Sequence, residues 1–453
     1  MSRFPLALLA LAATISVSHA QTYGYQTPAQ LLQSGPMVGA CAGREAKLWV
    51  QTTDAARVQI LYWDASVPYP KLESSVVQTS AADAFTAHFS LPTEPGRRYN
   101  YQVEVNGEIV ERPYPTQFVT PSLWQYRGDP PNFSIAAGSC AYVNQTQYDR
   151  PGTPYGSDYR IFTSLAAKAP QAMIWMGDNC YLREGDFDSL LGVQARYTHT
   201  RSLPEMQPML GAMANYAIWD DHDYGTNDSD RSYAFKDLSR QTFEQFWANP
   251  TFGVPGAGLN GITTQFSWGD ATFFLLDDRW DRAPDTRTTG ERTMLGAAQI
   301  QWLIDSLKTS DARWKIIVLG GPFLNTAKAA ENYIRNFPAE RAALLEALSA
   351  EKIGGVIFLS GDRHFSEVSK LERPGSYPLY DFTISSLTAG VGHGAGEANT
   401  LRVPGTHVET HNFGILNFSG PEKARVLSVE TFDADGKALW KQSVRAAEVG
   451  AGK

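Results

Sequence analysis

The chain has 453 residues, of which 43% are hydrophobic and 19% are charged, a composition typical of a globular protein. This length favours more than one domain, or one domain with large insertions. The formal net charge of −8 gives no indication of a nucleic-acid-binding surface. A monomer is the expected oligomeric state.

Residues 1–20 have the pattern of a secretory signal peptide. Arg3 precedes an apolar run, and the small-residue sequence Ser18-His19-Ala20 follows it, which predicts cleavage after Ala20. No later apolar run is long enough to span a bilayer. The mature protein is therefore expected to be periplasmic or secreted.

The cysteines of the chain are Cys41, Cys140 and Cys180. An odd number leaves at least one thiol unpaired within the chain. In an exported protein the other two could form a disulfide, or all three could be buried thiols. The sequence leaves both alternatives open.

Residues 21–126 predict an N-terminal β-sandwich domain of the immunoglobulin or fibronectin type. Runs rich in β-branched and aromatic residues predict strands at 47–52, 57–63, 85–91 and 99–105. Asn106-Gly107 is a strong hairpin signal. Short strands at this spacing are typical of a small sandwich.

Residues 127–453 predict a second domain in which strands and helices alternate, and this pattern indicates a layered α/β fold. Apolar runs predict strands at 133–137, 172–176, 216–219, 271–276, 315–319 and 355–359. Helices are predicted at 158–169, 296–308 and 338–350, and from about residue 380 the chain is mostly strands and Gly-rich turns.

Each of these six strands ends in polar residues. They are Cys140, Asp178 with Tyr181, Asp221 with His222, Asp277 with Arg279, Asn325 after Gly321-Pro322, and Asp362 with His364. Any one of them could be a turn or a buried core residue. Because ligands of open α/β sheets bind beyond the carboxyl ends of the strands, the six together indicate a shared metal site.

The densest group of carboxylates is W-D-D-H-D-Y-G-T-N-D, residues 219–228. Asp220, Asp221 and Asp223 surround His222, and like charges this close raise each other's pKa unless a cation compensates them. The alternative is a polar turn whose side chains bind the local backbone.

The candidate ligands are a thiolate, a phenolate, carboxylates and an imidazole. This set suits a hard, highly charged ion such as Fe³⁺, and the oxygen ligands suit a second hard ion, Ca²⁺ or else Mn²⁺ or Mg²⁺. Zn²⁺ remains an alternative for the second ion, whereas an all-zinc site would usually contain more His or Cys.

Five motifs resemble the signature blocks of the PhoD-type alkaline phosphatases, which belong to the calcineurin-like metallophosphoesterase superfamily. They are G-S-C (138–140), G-D-N-C-Y (177–181), W-D-D-H-D (219–223), L-D-D-R (276–279) and S-G-D-R-H (360–364). The resemblance covers nearly all of the mature chain. It implies a four-layer αββα sandwich behind the N-terminal β domain, with a two-metal site.

The resemblance also implies roles for individual residues. By analogy Cys140 and Tyr181 bind Fe³⁺, and Asp178 bridges both ions. His222 contacts the phosphate or protonates the leaving group. The further implied ligands are Asp221, Asp362, His364 and, less directly, Asn227. Arg279 either binds a phosphate oxygen bidentately or only pairs with a neighbouring carboxylate.

Some residues depart from the family pattern. Cys180 stands beside Tyr181, where it could pair with Cys41 or simply pack. The His that the superfamily has after the strand at 315–319 is missing, and Asn325 is a candidate substitute. His393, His407 and His411 could reach the site from the C-terminal loops or have no chemical role.

The implied function is a metal-dependent alkaline phosphatase, in which a metal-bound hydroxide attacks small or polymeric phosphate mono- or diesters in line. An alternative on the same fold is a phosphodiesterase or phospholipase D-like enzyme acting on phospholipid headgroups, teichoic-like polymers or nucleotides. An alternative from another class is a secreted binding module without turnover.

Overall fold

A computed structural model describes residues 26–329 and 331–451. The predicted signal peptide, residues 1–20, lies outside the described residues. Within those two ranges, no helix is both long enough and apolar enough to cross a membrane.

The N-terminal part consists of two antiparallel sheets behind the short helix α1 (Pro28–Leu31). Its strands are β1 (Leu32–Cys41), β2 (Glu45–Thr52), β3 (Arg57–Asp64), β4 (Leu72–Glu73), β5 (Val77–Gln78), β6 (Thr86–Pro92), β7 (Arg98–Val105), β8 (Glu108–Val110) and β9 (Gln117–Val119). One sheet has the order β1-β2-β6. The other has the order β4-β3-β7-β8, with β5 paired to β3 and β9 to β7.

The sandwich forms because apolar side chains alternate along its strands. In β7 every second residue is buried, including Tyr101 and Val103, so one face packs inward and the other meets water. The four strands predicted here are confirmed to within two residues. The boundary of the domain at residue 126 stays a prediction.

The described residues that follow the sandwich form two six-stranded sheets. Its strands are β10 (Phe133–Gly138), β11 (Ala172–Met176), β12 (Ala214–Ile218), β13 (Thr264–Trp268), β14 (Ala271–Leu275), β15 (Trp314–Val318), β16 (Val356–Ser360), β17 (Glu367–Leu371), β18 (Leu379–Thr383), β19 (Asn412–Ser419), β20 (Val426–Asp433) and β21 (Ala438–Arg445). Its helices are α2 (Arg160–Ala167), α3 (Leu190–Arg201), α4 (Gln207–Ala212), α5 (Asp221–Tyr224), α6 (Lys236–Phe246), α7 (Ala297–Thr309), α8 (Tyr333–Asn336) and α9 (Pro338–Ala350).

Both sheets have parallel strands that point towards the candidate site. The first sheet has the order β12-β11-β10-β19-β20-β21, in which β10, β11 and β12 are parallel. The second has the order β13-β14-β15-β16-β18-β17, in which β14, β15, β16 and β18 are parallel. The six predicted strands with polar ends are β10, β11, β12, β14, β15 and β16.

The two sheets pack face to face. Phe418 of β19 stacks on Phe133 of β10 at 4.4 Å between ring centroids. It also contacts Phe273 and Trp314 of the second sheet at 6.2 and 6.1 Å. On the outer faces, α2 covers the first sheet, and α7 and α9 form a second core with the other sheet. The predicted four-layer αββα fold is therefore confirmed.

Replacing Phe418 by alanine should lower the free energy of unfolding by about 3–5 kcal/mol, because it leaves a cavity between the sheets where the ring is fully buried. Leu191→Ala is the control, since Leu191 is 76% exposed and should change stability by about 0.5 kcal/mol or less. Denaturant titration of both variants measures the difference. Equal stabilities would contradict this description of the core.

The N-terminal sandwich docks on the first sheet through hydrogen bonds that cross between them. Tyr101 donates from its hydroxyl to the carbonyl oxygen of Gly211 at 2.8 Å, and the Tyr216 hydroxyl accepts from the Cys41 amide at 3.0 Å. Trp49 donates from Nε1 to the carbonyl oxygen of Gln245 at 2.8 Å. The contacts involve β12 and helices α4 and α6, so the sandwich supports the layer that carries the site.

Candidate metal centre

The backbone is strained where strands β10, β11 and β16 end. Cys140, Asp178, Asp362 and His364 have φ angles of 60°, 52°, 65° and 56°. Non-glycine residues rarely adopt this left-handed region, and each such residue costs about 1–3 kcal/mol. Strain at four residues of one strand-end cluster indicates that these side chains are held in place for a function.

Two groups of side chains have ligand atoms close enough to hold a metal ion. Cys140, Asp178 and His364 form one group, and Asp178, Asp221 and His222 form the other, each with ligand atoms within 4.8 Å of one another. Asp178 belongs to both. This arrangement suits two neighbouring ions bridged by one carboxylate.

Tyr181 completes the first group. Its hydroxyl donates to Asp178 Oδ2 at 3.0 Å and lies 3.3 Å from His364 Nε2. His364 Nδ1 is bonded to the carbonyl oxygen of Gly390, and this bond places the proton on Nδ1 and leaves Nε2 free to act as a ligand. Burial lowers the pKa of His364 to about 4, so its ring is neutral at pH 7.

His222 connects the second group to the first. Its ring stacks on Tyr181 at 4.3 Å between centroids. Its backbone amide donates to Asp178 Oδ1 at 3.2 Å, and its Nε2 lies 4.0 Å from Asp221 Oδ2. The other side of the imidazole lines an open cavity, where it is accessible to a ligand.

Negative charge is concentrated at the centre. Burial raises the pKa of Asp178 well above its usual range, and the carboxylates of Asp221, Asp223 and Asp362 raise it further. Burial and the carboxylate of Asp178 likewise raise the pKa of the Cys140 thiol. A bound cation removes this penalty by favouring the ionised forms.

The donor set fits metal ions. It offers sulfur, phenolic oxygen, carboxylate oxygens and the Nε2 of a histidine oriented by a backbone carbonyl. The first group, with Tyr181, combines sulfur, oxygen and nitrogen donors, and the second offers mainly oxygen.

Arg279 lies under the centre, where it pairs with carboxylates. Its side chain is fully buried and contacts Asp220, while Nη2 lies 3.0 Å from Glu331 Oε2 and 3.8 Å from Asp221 Oδ1. The structure thus contains the carboxylate pairing that the sequence left as one of two alternatives. Direct binding of phosphate by Arg279 stays a prediction.

Asp362 and Asn227 belong to neither group. The carbonyl oxygen of Asp362 lies 3.8 Å from Cys140 Sγ, and burial raises the pKa of its side chain to about 8. Asn227 is exposed at the cavity and donates from Nδ2 to Asp228 Oδ2 at 2.8 Å. Their roles as ligands stay predictions.

The cysteine pairing suggested as one alternative is not formed. Cys41, Cys140 and Cys180 are free and buried. Cys180 packs in the interior, where its Sγ accepts a hydrogen bond from the Thr200 hydroxyl at 3.7 Å. The packing alternative is therefore the one observed, because Cys41 lies in β1 of the sandwich and contacts Tyr216 instead.

Asn325 does not supply the missing ligand. Its Nδ2 donates to Glu367 Oε1 at 2.7 Å, and its Oδ1 accepts from the Ala327 amide at 2.8 Å, so both polar atoms are used in the interior. The three loop histidines are also engaged elsewhere. His393 and His407 contact Glu409, and His411 contacts Ser386.

Sequence reasoning missed the residues that support the ligands. Asp220 and Glu331 hold Arg279, and Asp228 donates its amide to Asp221 Oδ2 at 2.7 Å. Tyr155 lies over His364, with its hydroxyl 3.3 Å from Nδ1. Asp220 and Asp228 belong to the conspicuous 219–228 stretch, whereas nothing in the sequence around Glu331 or Tyr155 signals a role.

A cavity of about 630 Å³ opens beside the centre. Tyr181 and His222 form its floor, and the segments after β10, β11 and β12 form its walls. The centre is thus reachable by a ligand larger than a metal ion or a water molecule.

Solved structures share this architecture. The structure of PhoD superimposes with a TM-score of 0.73 at 16% identity, covering 92% of this chain and 93% of the other. A purple acid phosphatase from yellow lupin (Lupinus luteus) seeds has a TM-score of 0.66 at 11% identity, covering 92% and 75%. This chain therefore shares its fold with PhoD and with this purple acid phosphatase.

The family is defined by the sequence itself. Residues 135–419, more than half of the chain, match the model of the PhoD-like phosphatase family. This chain belongs to the PhoD-like phosphatase family. Residues 29–123 match a domain of unknown function, DUF7800.

A curated relative matches a shorter stretch. Alkaline phosphatase D of Bacillus subtilis (strain 168) is 23% identical over 234 residues, which is 44% of this chain. The match spans 40% of the length of that relative. The activity of the whole relative is therefore transferred only as a proposal.

Proposed function

We propose that this protein is an exported, metal-dependent phosphatase that hydrolyses phosphate esters. The observation that supports this most strongly is the pair of ligand groups that share Asp178 beside an open cavity. Membership of the PhoD-like phosphatase family points to the same reaction. Export rests on the signal-peptide pattern of residues 1–20.

Ferric iron is the ion proposed for Cys140, Tyr181 and His364, and Ca²⁺, or else Mn²⁺, Mg²⁺ or Zn²⁺, is proposed for Asp221 and its neighbours. Asp178 is the shared ligand. When bound, the two ions supply the positive charge that activates a water molecule and neutralises the phosphate oxygens. Tyr181 and the Gly390 carbonyl keep the His364 ring oriented for this binding.

The protein groups around the cavity position the ester. His222 faces the cavity from above Tyr181, where its ring can donate a proton to the departing alkoxide. Asp221 lies beside this imidazole, with its Oδ2 4.0 Å from His222 Nε2. Burial of Asp178 and Tyr181 excludes water from the side of the centre that faces the protein.

The reaction is tested by hydrolysis of 4-nitrophenyl phosphate and bis(4-nitrophenyl) phosphate by the purified protein, with each candidate ion added. Turnover that depends on added metal supports the proposal. A protein that retains the ions but hydrolyses neither ester between pH 5 and pH 10 would be a binding module instead.

Replacing His222 by asparagine should lower kcat by about 10²- to 10⁴-fold, because the proton donor is lost. Bound metal should remain, since Asp178 and Asp221 still occupy the second group. Metal content and kcat of the variant are measured together. Loss of the second ion from His222→Asn would show that His222 is a ligand and would contradict its role as proton donor.

A further inference from the structure

The cavity beside the metal centre is larger than a phosphate group requires. Its volume of about 630 Å³ lies within the range of roughly 300–1,000 Å³ for pockets that hold organic ligands. Its floor, formed by Tyr181 and His222, belongs to the metal centre. The remaining walls are therefore available to bind the organic part of an ester.

Four aromatic rings line part of these walls. They belong to Tyr142, Tyr148, Tyr155 and Phe187. Tyr142 packs against Tyr155 at 5.0 Å and against Tyr181 at 5.1 Å between ring centroids, so these rings hold each other in place. Tyr148 and Tyr155 are still 52% and 47% exposed, which leaves ring surface for a ligand.

The charged side chains of the cavity are paired with each other. Arg183 Nη2 lies 2.8 Å from Asp149 Oδ1, and the Arg183 guanidinium lies 3.9 Å from the centre of the Tyr142 ring. Arg150 Nη2 lies 3.3 Å from Glu184 Oε1. Because these charges cancel, the walls favour an uncharged group with a flat face over a polyanion.

We propose that the cavity binds the organic part of the substrate and that this part carries a planar ring, as in a nucleoside 5′-monophosphate. The inference rests on the proposed phosphatase function and names its substrate class. The phosphate lies over Tyr181 and His222, and the ring stacks on the exposed tyrosines. Tyr148 is the specificity-determining residue that can be changed without touching a metal ligand.

The test compares ligands that differ only in the ring. Binding of adenosine and of ribose is measured by calorimetry, and kcat/KM is measured for adenosine 5′-monophosphate and ribose 5-phosphate. The variants are Tyr148→Ala, Tyr148→Phe, which keeps the ring, and Tyr126→Ala as a matched control. Tyr126 is also an exposed tyrosine, at 106%, and it does not line this cavity.

The wild-type protein should bind adenosine but not ribose, and it should prefer the nucleotide. Tyr148→Ala should lower adenosine affinity by about 5- to 150-fold, which is the range for stacking of a base on an aromatic side chain. The same variant should lower the ratio of kcat/KM for adenosine 5′-monophosphate to kcat/KM for ribose 5-phosphate by a similar factor, through a change in KM. Tyr148→Phe should retain most of the adenosine affinity and most of the kcat/KM ratio, and Tyr126→Ala should match the wild type in both quantities.

Failure of the ring-binding inference and failure of the proposed phosphatase function give different results. Equal kcat/KM values for the two esters, or adenosine binding unchanged by Tyr148→Ala, would overturn this inference and leave the phosphatase function intact. If the wild type binds adenosine through Tyr148 but hydrolyses neither ester with any metal, the phosphatase proposal fails while the cavity remains assigned as a ring-binding site.

Discussion

Replacing Asp178 by asparagine is expected to abolish metal binding and phosphatase activity together. Asp178 is the one carboxylate that both ligand groups share, and it also receives hydrogen bonds from the Tyr181 hydroxyl and the His222 amide. Asparagine has nearly the same shape but no charge, so the two proposed ions would lose their common anionic ligand.

The loss in kcat/KM should be about 10³-fold or more, since bound metals supply several kcal/mol of charge stabilisation and about 1.36 kcal/mol changes the rate tenfold. Elemental mass spectrometry and ester hydrolysis measure the two effects on one preparation. Asp64→Asn in the N-terminal sandwich is the control and should retain metal and activity. Full activity in Asp178→Asn would overturn the assignment of the centre.

Replacing Arg279 by glutamine is expected to lower the free energy of unfolding by about 3–5 kcal/mol, because removing one partner leaves buried charges uncompensated. Arg279 is the cation shared by Asp220 and Glu331, with Asp221 and Asp278 within 4.0 Å. These carboxylates lie directly beneath the centre, so Asp221 should also lose its orientation.

Arg287→Gln is the matched control, since Arg287 is an exposed arginine in the segment that follows and should change stability by about 0.5 kcal/mol or less. Denaturant titration of both variants without added metal measures the effect. If Arg279→Gln is as stable as the wild type but loses phosphate affinity, Arg279 binds phosphate directly and the carboxylate pairing is secondary.

The strands that carry the site could be predicted because each is a short apolar run followed by polar residues. In β11, β12 and β16 every residue is buried, so the hydrophobic signal is continuous. The polar residues follow at once, since the parallel strands of both sheets end at the centre. This pattern of an apolar strand followed by polar residues identifies Cys140, Asp178, His222 and His364.

Other elements lack such a signal. Helix α3 buries Gln194, Arg196 and Arg201 together with Val193 and Tyr197, so it has no apolar stripe and was not predicted. Strand β1 contains Gly35-Pro36, a pair that is typical of a turn. The strand is nevertheless almost wholly buried.

The support of the metal centre depends on contacts distant in sequence. Glu331 reaches Arg279 across 52 residues, and Tyr155 reaches His364 across 209. Neighbouring strands of the second sheet bring the first pair together, the packing of the two sheets brings the second pair together, and no local pattern encodes either contact. The aromatic cavity arises in the same way, from loops that follow different strands.

The most direct test of the two-metal centre is the metal content of the purified mature protein, measured by elemental mass spectrometry. The expected result is two ions per chain, iron together with calcium or another hard divalent ion, both lost in Asp178→Asn. A wild-type protein that binds no metal even after incubation with each ion would contradict the account.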